Sequence, residues 1–171
     1  GGGSGNLMSL LKYHNKPKCI VDIDLPEVLI ACIIFLTNIF PKANFLFPNE
    51  VNKKITSATL SNYDFIFLTP SQLDFLDDNL FDLFINTFSF QEMEKDQIKE
   101  YFNLIQRSGK RNSYFFNQNR VEKIPFDSNT NIKKSSIENI KPTRFCDYPF
   151  FNNEIKVFEI CKFSSFRWGP S

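Results

Sequence analysis

The chain has one histidine, one tryptophan and four cysteines in 171 residues. Cys19, Cys32, Cys146 and Cys161 are widely scattered, without the paired spacing of metal ligands or of a secreted disulfide framework. They are expected as reduced, mostly buried thiols of a cytoplasmic protein. With His14 as the lone histidine and no tight carboxylate cluster, no metal site is expected. The longest apolar stretch, Val28 to Phe40, is about 13 residues and is broken by Thr37 and Asn38, whereas a membrane span needs roughly 20. No transmembrane segment is expected. Neither charge sign is in excess: Lys plus Arg number 20, Asp plus Glu 19, and the net charge is +1. The basic footprint of a nucleic-acid binder is missing, so phosphate backbones are not expected partners. The chain starts at Gly1 rather than Met, with no charged-then-apolar leader, and its natural start is expected upstream.

What is present is enough for a core. Hydrophobic residues make up 42% of the chain, which suits a single domain over residues 1–171. Asn6 to Tyr13 carries apolar residues near helical spacing and is ended by Asn15-Lys16-Pro17. Lys18 to Ile23 reads as an inner strand, and Pro26-Glu27 opens an apolar helix ending near Phe40-Pro41. Residues 42–62 read as an irregular connection with a short strand at Asn44–Phe47. Further strands are predicted at Asp64–Leu68, Phe81–Asn86, Ser113–Phe116 and Ile155–Phe163. A helix with apolar face Phe90, Met93, Ile98, Tyr101, Phe102 and Ile105 follows the strand at Phe81 and stops at Ser108-Gly109. Strands alternating with helices argue for an α/β domain with a mainly parallel sheet, its ligands at the carboxyl ends of the strands. The 21 phenylalanines lie mostly in strands and on helix faces, where core packing accounts for them better than a carbohydrate-stacking platform.

Gly1-Gly2-Gly3-Ser4-Gly5 lets the backbone approach a ligand closely and exposes N–H groups at the start of the next helix. The same five residues also resemble a flexible linker. Context separates the two readings: Asp24 lies 19 residues after Gly5 at the end of a hydrophobic strand, where a nucleotide-binding α/β unit places an acid for ribose hydroxyls. Asp24 could also cap the following helix, with Glu27 completing a capping box. Asp22 is the second candidate for the ribose.

The loop GGGSGN, the strand ending Val21-Asp22-Ile23-Asp24-Leu25-Pro26-Glu27, and Phe81-Asp82-Leu83-Phe84-Ile85-Asn86 followed by Ser89-Phe90-Gln91-Glu92-Met93 together resemble class I methyltransferases. Within them they are most similar to the putative sugar O-methyltransferases. The resemblance runs from Gly1 to about Asn119 and fades beyond residue 120. It implies a Rossmann-like α/β sheet of order 3-2-1-4-5-7-6 with its last strand antiparallel, and a first strand, bearing an acid, upstream of Gly1. It implies S-adenosylmethionine as cofactor, with Gly1, Gly3 and Gly5 along its methionine and ribose part and Asp24 on the ribose. Thr69, Pro70 and Ser71 would flank the adenine, and Asn86 and Thr87 would lie beside the methionine moiety. A small-molecule acceptor with a sugar-like hydroxyl is implied.

Methyl transfer to oxygen needs alignment and, for a sugar hydroxyl, proton removal. Glu92, at the start of the helix after the Phe81 strand, is the candidate base; an acid is also favourable in a helix's first turn. His14 falls at the far end of the first helix and is not nominated. The run Asn117-Gln118-Asn119-Arg120 could bind sugar hydroxyls or be a polar strand exit. Two rival readings remain. An NAD-dependent oxidoreductase would use the same loop and acid, but Gly1-x-Gly3-x-Gly5 lacks the two-residue gap of G-x-G-x-x-G, whose third glycine would fall at Asn6. A degenerate, non-catalytic interaction domain is the other.

Overall fold

The computed structural model describes residues 2–120 and 144–151. Its helices are α1 (Asn6–His14), α2 (Pro26–Ile39), α3 (Ser57–Asn62) and α4 (Lys95–Ser108), and its strands β1 (Ile20–Ile23), β2 (Phe45–Leu46), β3 (Phe65–Leu68), β4 (Phe81–Thr87) and β5 (Gly109–Gln118). The segment between residues 42 and 62 is more ordered than its polar composition suggests, because a 3₁₀ turn at Pro48–Glu50 and α3 follow β2.

All strand pairs are parallel. One sheet has the order β1-β3-β2 and the other is β4-β5. The chain is thus a mixed α/β structure with small parallel sheets, compatible with a Rossmann-like fold. The strand at Ile155–Phe163 and the upstream strand lie outside the described residues.

β3 is the centre of the first sheet. Phe65, Ile66, Phe67 and Leu68 are all fully buried, the near-continuous apolar run required of a parallel strand covered on both faces. Phe65 and Phe67 pack with Met8 of α1 and with Leu29, Cys32 and Leu36 of α2. Ile66 and Leu68 face the other way, into a cluster with Leu46, Ile55, Leu76 and Leu104. Burying each of these side chains contributes roughly 1.5–3 kcal/mol. Pro26 at the first turn, where a missing N–H costs nothing, starts α2.

α4 joins the two sheets. Its Leu104 and Tyr101 pack with Val21 and Ile23 of β1 and with Phe81 of β4. Its Phe102 lies against Phe115 of β5, edge-on at 5.7 Å. Arg107 fixes its far end by donating to the carbonyls of Leu76 and Leu73 and to Asp78.

Among the described residues each sheet has two edges without a partner, at β1 and β2 in the first and at β4 and β5 in the second. In β1 the amides of Ile20 and Asp24 donate toward β3, at Asp64 and Leu68. Period-two alternation therefore aims the amides of Val21 and Ile23 at the free edge. The Phe88 amide donates to Gln118, and by the same alternation the amides of Leu83, Ile85 and Thr87 face away from β5.

Among the described residues, no helix is long and apolar enough to cross a membrane, and no group of His, Cys, Asp and Glu is arranged to hold a metal ion.

Candidate functional site

The glycine loop folds over the carboxyl end of β1. Gly5 donates to the Gly2 carbonyl at 3.0 Å, closing a turn in which Gly3 has φ 53° and Gly5, at the start of α1, φ 85°. Left-handed backbone at both positions suits glycine. A Cβ on Gly5 would also press on Cys32, Leu36 and Phe35 of α2 at 3.1–3.2 Å. The loop is a built turn seated on the second helix, which is not how a free linker behaves. Gly1 lies outside the described residues.

Asp24 is tied to this loop. Its Oδ2 accepts from the Gly3 amide at 3.3 Å and its Oδ1 from the Leu25 amide at 2.8 Å. The helix-capping alternative fails, since Leu25 is the N-cap of α2 and no side chain caps it. The structure thus brings Gly3 onto Asp24, with Gly5 closing the same turn.

Asp22 is the more deeply placed acid, only 5% exposed, and its Oδ2 has no hydrogen-bond partner among the described residues. Burial pushes its carboxyl above the usual range, and the Asp24 charge acts in the same direction. Below it, the Cys32 thiol is pushed up to about 12, first by burial and then by Asp22, and stays protonated. Cys19 is likewise held at about 12 by burial. Both are free thiols; Cys146 is also free but exposed, against the expectation of burial, and Cys161 lies outside the described residues.

Thr69, Pro70 and Ser71 follow β3 directly, and the Asp24 amide donates to Leu68 beside them. Their polar atoms are engaged locally: the Thr69 and Ser71 hydroxyls are 2.9 Å apart, and Gln72 accepts from both the amide and the hydroxyl of Thr69. An open cleft of about 410 Å³ between this turn and α4 is lined by Pro70 and Ser71 with Glu100, Asn103 and Arg107, but not by the glycine loop.

At the carboxyl ends of β4 and β5 a chain of amides is assembled. Asn86, 4% exposed, donates through Nδ2 to Asn117 Oδ1 at 2.7 Å and accepts from the Ser89 hydroxyl. Asn119 Nδ2 donates to the same Asn117 oxygen at 2.7 Å, and Asn119 Oδ1 accepts from the Gln91 amide. Gln91 Nε2 reaches Glu92 Oε1 at 3.1 Å. Thr87, half-buried, ends β4 opposite Gln118.

Glu92 is exposed and sits in a 3₁₀ turn at Phe90–Glu92, not at the head of the long helix as the sequence suggests. Met93 is extended at φ −101°, ψ 153°, which interrupts the apparent helical period, and α4 begins at Lys95. His14 ends α1, its ring edge-on to Tyr13.

Sequence periodicity assigns Tyr101 only to the apolar face of a helix. In the structure its ring packs on Phe90, 5.8 Å away and next to Gln91 and Glu92. Its hydroxyl is pushed to about 12 by burial, then by the charges of Asp24, Glu100 and Asp22. It packs on the turn that bears Glu92, and the charges of the glycine-loop acids act on its hydroxyl.

The chain matches no protein-family model, no curated protein and no solved structure.

Proposed function

We propose that this chain is the cofactor-binding part of a class I methyltransferase that binds S-adenosylmethionine and methylates a hydroxyl of a small, sugar-like molecule. The observation that carries the reading is the bond from Gly3 N–H to Asp24 Oδ2, which joins a glycine turn at a helix start to an acid at the carboxyl end of a parallel strand. The residue set fits this cofactor. Asp24 would hold ribose hydroxyls, and Gly2, whose Cβ would overlap the Asp22 carboxyl, leaves the backbone close to both acids. Two carboxylates at one loop disfavour an anionic pyrophosphate and favour a diol or a cationic group. That argues against the NAD-dependent oxidoreductase.

Thr69, Pro70 and Ser71 are assigned to the adenine, and Asn86 and Thr87 to the methionine moiety. Bound there, S-adenosylmethionine would supply a methyl group already carried on a good leaving group. The protein's part is then alignment and proton removal, the latter assigned to Glu92. The free edges of β1 and β4 would take one more parallel strand between them, giving the inner part of the order 3-2-1-4-5-7-6. In this reading the enzyme is cytoplasmic, which its free thiols support.

The test is calorimetric titration with S-adenosylhomocysteine and, separately, NADH. Micromolar binding of the first alone is expected. A folded chain that binds neither would leave the interaction-domain reading, which the strand edges without a partner among the described residues favour.

A further inference from the structure

We propose that the glycine loop and Asp22 form a proton-dependent latch: seating Gly2 on the Asp22 carboxyl encloses it as the neutral acid, and lifting the loop lets it ionise.

The placement of Asp22 follows from strand alternation. Val21 and Ile23 pack against the cluster that contains Ile66, Leu68 and Leu104. Asp22, between them, therefore points to the other face of β1, toward α2 and the loop. There it is buried, and its Oδ2 has no hydrogen-bond partner among the described residues. Gly2 is the cover. A Cβ built on it would lie 2.6 Å from Cγ, Oδ1 and Oδ2 alike, so the loop comes down this far only because position 2 has no side chain.

An enclosed carboxylate with an oxygen that no donor meets is costlier than the neutral acid. The groups facing Asp22 act in both directions. Burial raises its carboxyl, and Asp24 on the same strand adds to this; the charge of the amino terminus, the Gly2 amide and Cys32 of α2 act the other way and are outweighed. From α4, the Tyr101 hydroxyl senses the Asp22 charge. Cys32 and Tyr101 are both held at about 12, so neither exchanges a proton where a carboxyl does.

The loop is held lightly enough to move. Gly5 is fixed by its packing on α2, but Gly3 and Ser4 are exposed, and the Gly3 amide reaches Asp24 only at 3.3 Å. Segments held by few, exposed hydrogen bonds open locally at low cost. The seated state binds the Asp22 proton more tightly than the open state. Its contribution to the seat is complete below the open-state value of Asp22 and is lost as pH rises through the seated-state value.

The test uses the full 171-residue chain, labelled with ¹³C and ¹⁵N. It follows the Asp22 carboxyl carbon and the amides of Gly3 and Gly5 from acid to mildly alkaline pH. The Asp22 carboxyl is expected to titrate above the ordinary aspartate value of about 3.9, with the glycine amides shifting at the same midpoint. In Asp22→Asn, which stays neutral at every pH, that step in the amides should vanish. In Gly2→Ala, whose methyl holds the loop off the carboxyl, the Asp22 midpoint should move down. The wild-type comparison of carboxyl with amides stands even where a variant fails to fold. An Asp22 midpoint at the ordinary value, glycine amides that ignore it, or a midpoint unchanged in Gly2→Ala overturns the latch. On the reading that this loop holds S-adenosylmethionine, S-adenosylhomocysteine should bind more weakly above the Asp22 midpoint than below it, and equally on both sides in Asp22→Asn. A protein that shows the linked titrations but binds no S-adenosylhomocysteine would uphold the latch and remove the methyl-transfer reading instead.

Discussion

Gly2 lies directly against the carboxyl group of Asp22: a Cβ added to Gly2 would fall 2.6 Å from Cγ and from both oxygens of Asp22. The absence of a side chain at position 2 is therefore a steric requirement of a buried acid. Gly3 has a different reason to be glycine, since a Cβ there meets nothing within 4 Å but its φ is 53°.

The two substitutions should differ in kind. Gly3→Ala is expected to cost about 1 kcal/mol from backbone strain alone. Gly2→Ala should cost about 1–3 kcal/mol through overpacking and should be largely relieved by Asp22→Ala. Urea unfolding of the four variants in a double-mutant cycle checks this. Additive costs at Gly2 and Asp22 would show that the contact is not what position 2 responds to.

Asp22 and Asp64 should move stability with pH in opposite senses. Burial raises the Asp22 carboxyl, so the native state keeps a proton that the unfolded chain has released. Its contribution is complete below the unfolded value and is lost as pH rises through the folded one. Asp64 is lowered, chiefly by its hydrogen bond from Lys12, 2.7 Å away, and then by the Asn44 amide. Its contribution is present above the unfolded value and is lost as pH falls through the folded one. Asp22→Asn should therefore raise stability near neutral pH, and Asp64→Asn should lower it there with little effect in acid. Denaturation midpoints from acid to neutral pH are the measurement, and an Asp22→Asn curve parallel to wild type would contradict the assignment.

Local signals made much of this fold legible. Pro26 marks the first residue of α2, and Asn15 the C-cap of α1, because proline and short polar residues act through their own backbone chemistry. The link from Gly3 to Asp24 follows from a spacing that a strand and a helix impose. Glu92 was harder to place, because Phe90 and Met93 continue the apolar period of α4 although the backbone at Met93 is extended. The amide cluster was out of reach, since Asn86 and Asn117 are 31 residues apart and meet only through the register of two parallel strands. Tyr101 was hidden for a related reason: its ring satisfies a helix-face pattern while its hydroxyl responds to acids on another sheet.

Tyr101 belongs both to the cluster that includes Val21, Ile23 and Leu104 and to the one built on Phe90 and Phe102. Tyr101→Ala should accordingly loosen α4 from both sheets and cost roughly 2–4 kcal/mol, whereas Tyr101→Phe keeps the ring and should cost under about 1 kcal/mol. Thermal or urea unfolding separates the two. Equal losses would mean that the hydroxyl, rather than the ring, holds the helix in place.

The roles assigned to Asp24 and Glu92 should separate cofactor binding from turnover. Asp24 accepts from the glycine loop, so Asp24→Ala removes a ribose acceptor and a loop anchor together. S-adenosylhomocysteine affinity should fall about tenfold or more, about 1.4 kcal/mol per tenfold. Glu92 is exposed on a different turn, and its nearest tie to the amide cluster is Gln91. Glu92→Gln should leave that affinity within about twofold and slow turnover by roughly 10²–10⁴, the range for loss of a positioned base. The comparison needs calorimetry for both variants and single-turnover rates for Glu92→Gln with whichever hydroxyl acceptor the wild type methylates. Unchanged affinity in Asp24→Ala would take the ribose away from this acid and pass it to Asp22. Unchanged turnover in Glu92→Gln would assign proton removal to another group and leave Glu92 a surface acid of the turn.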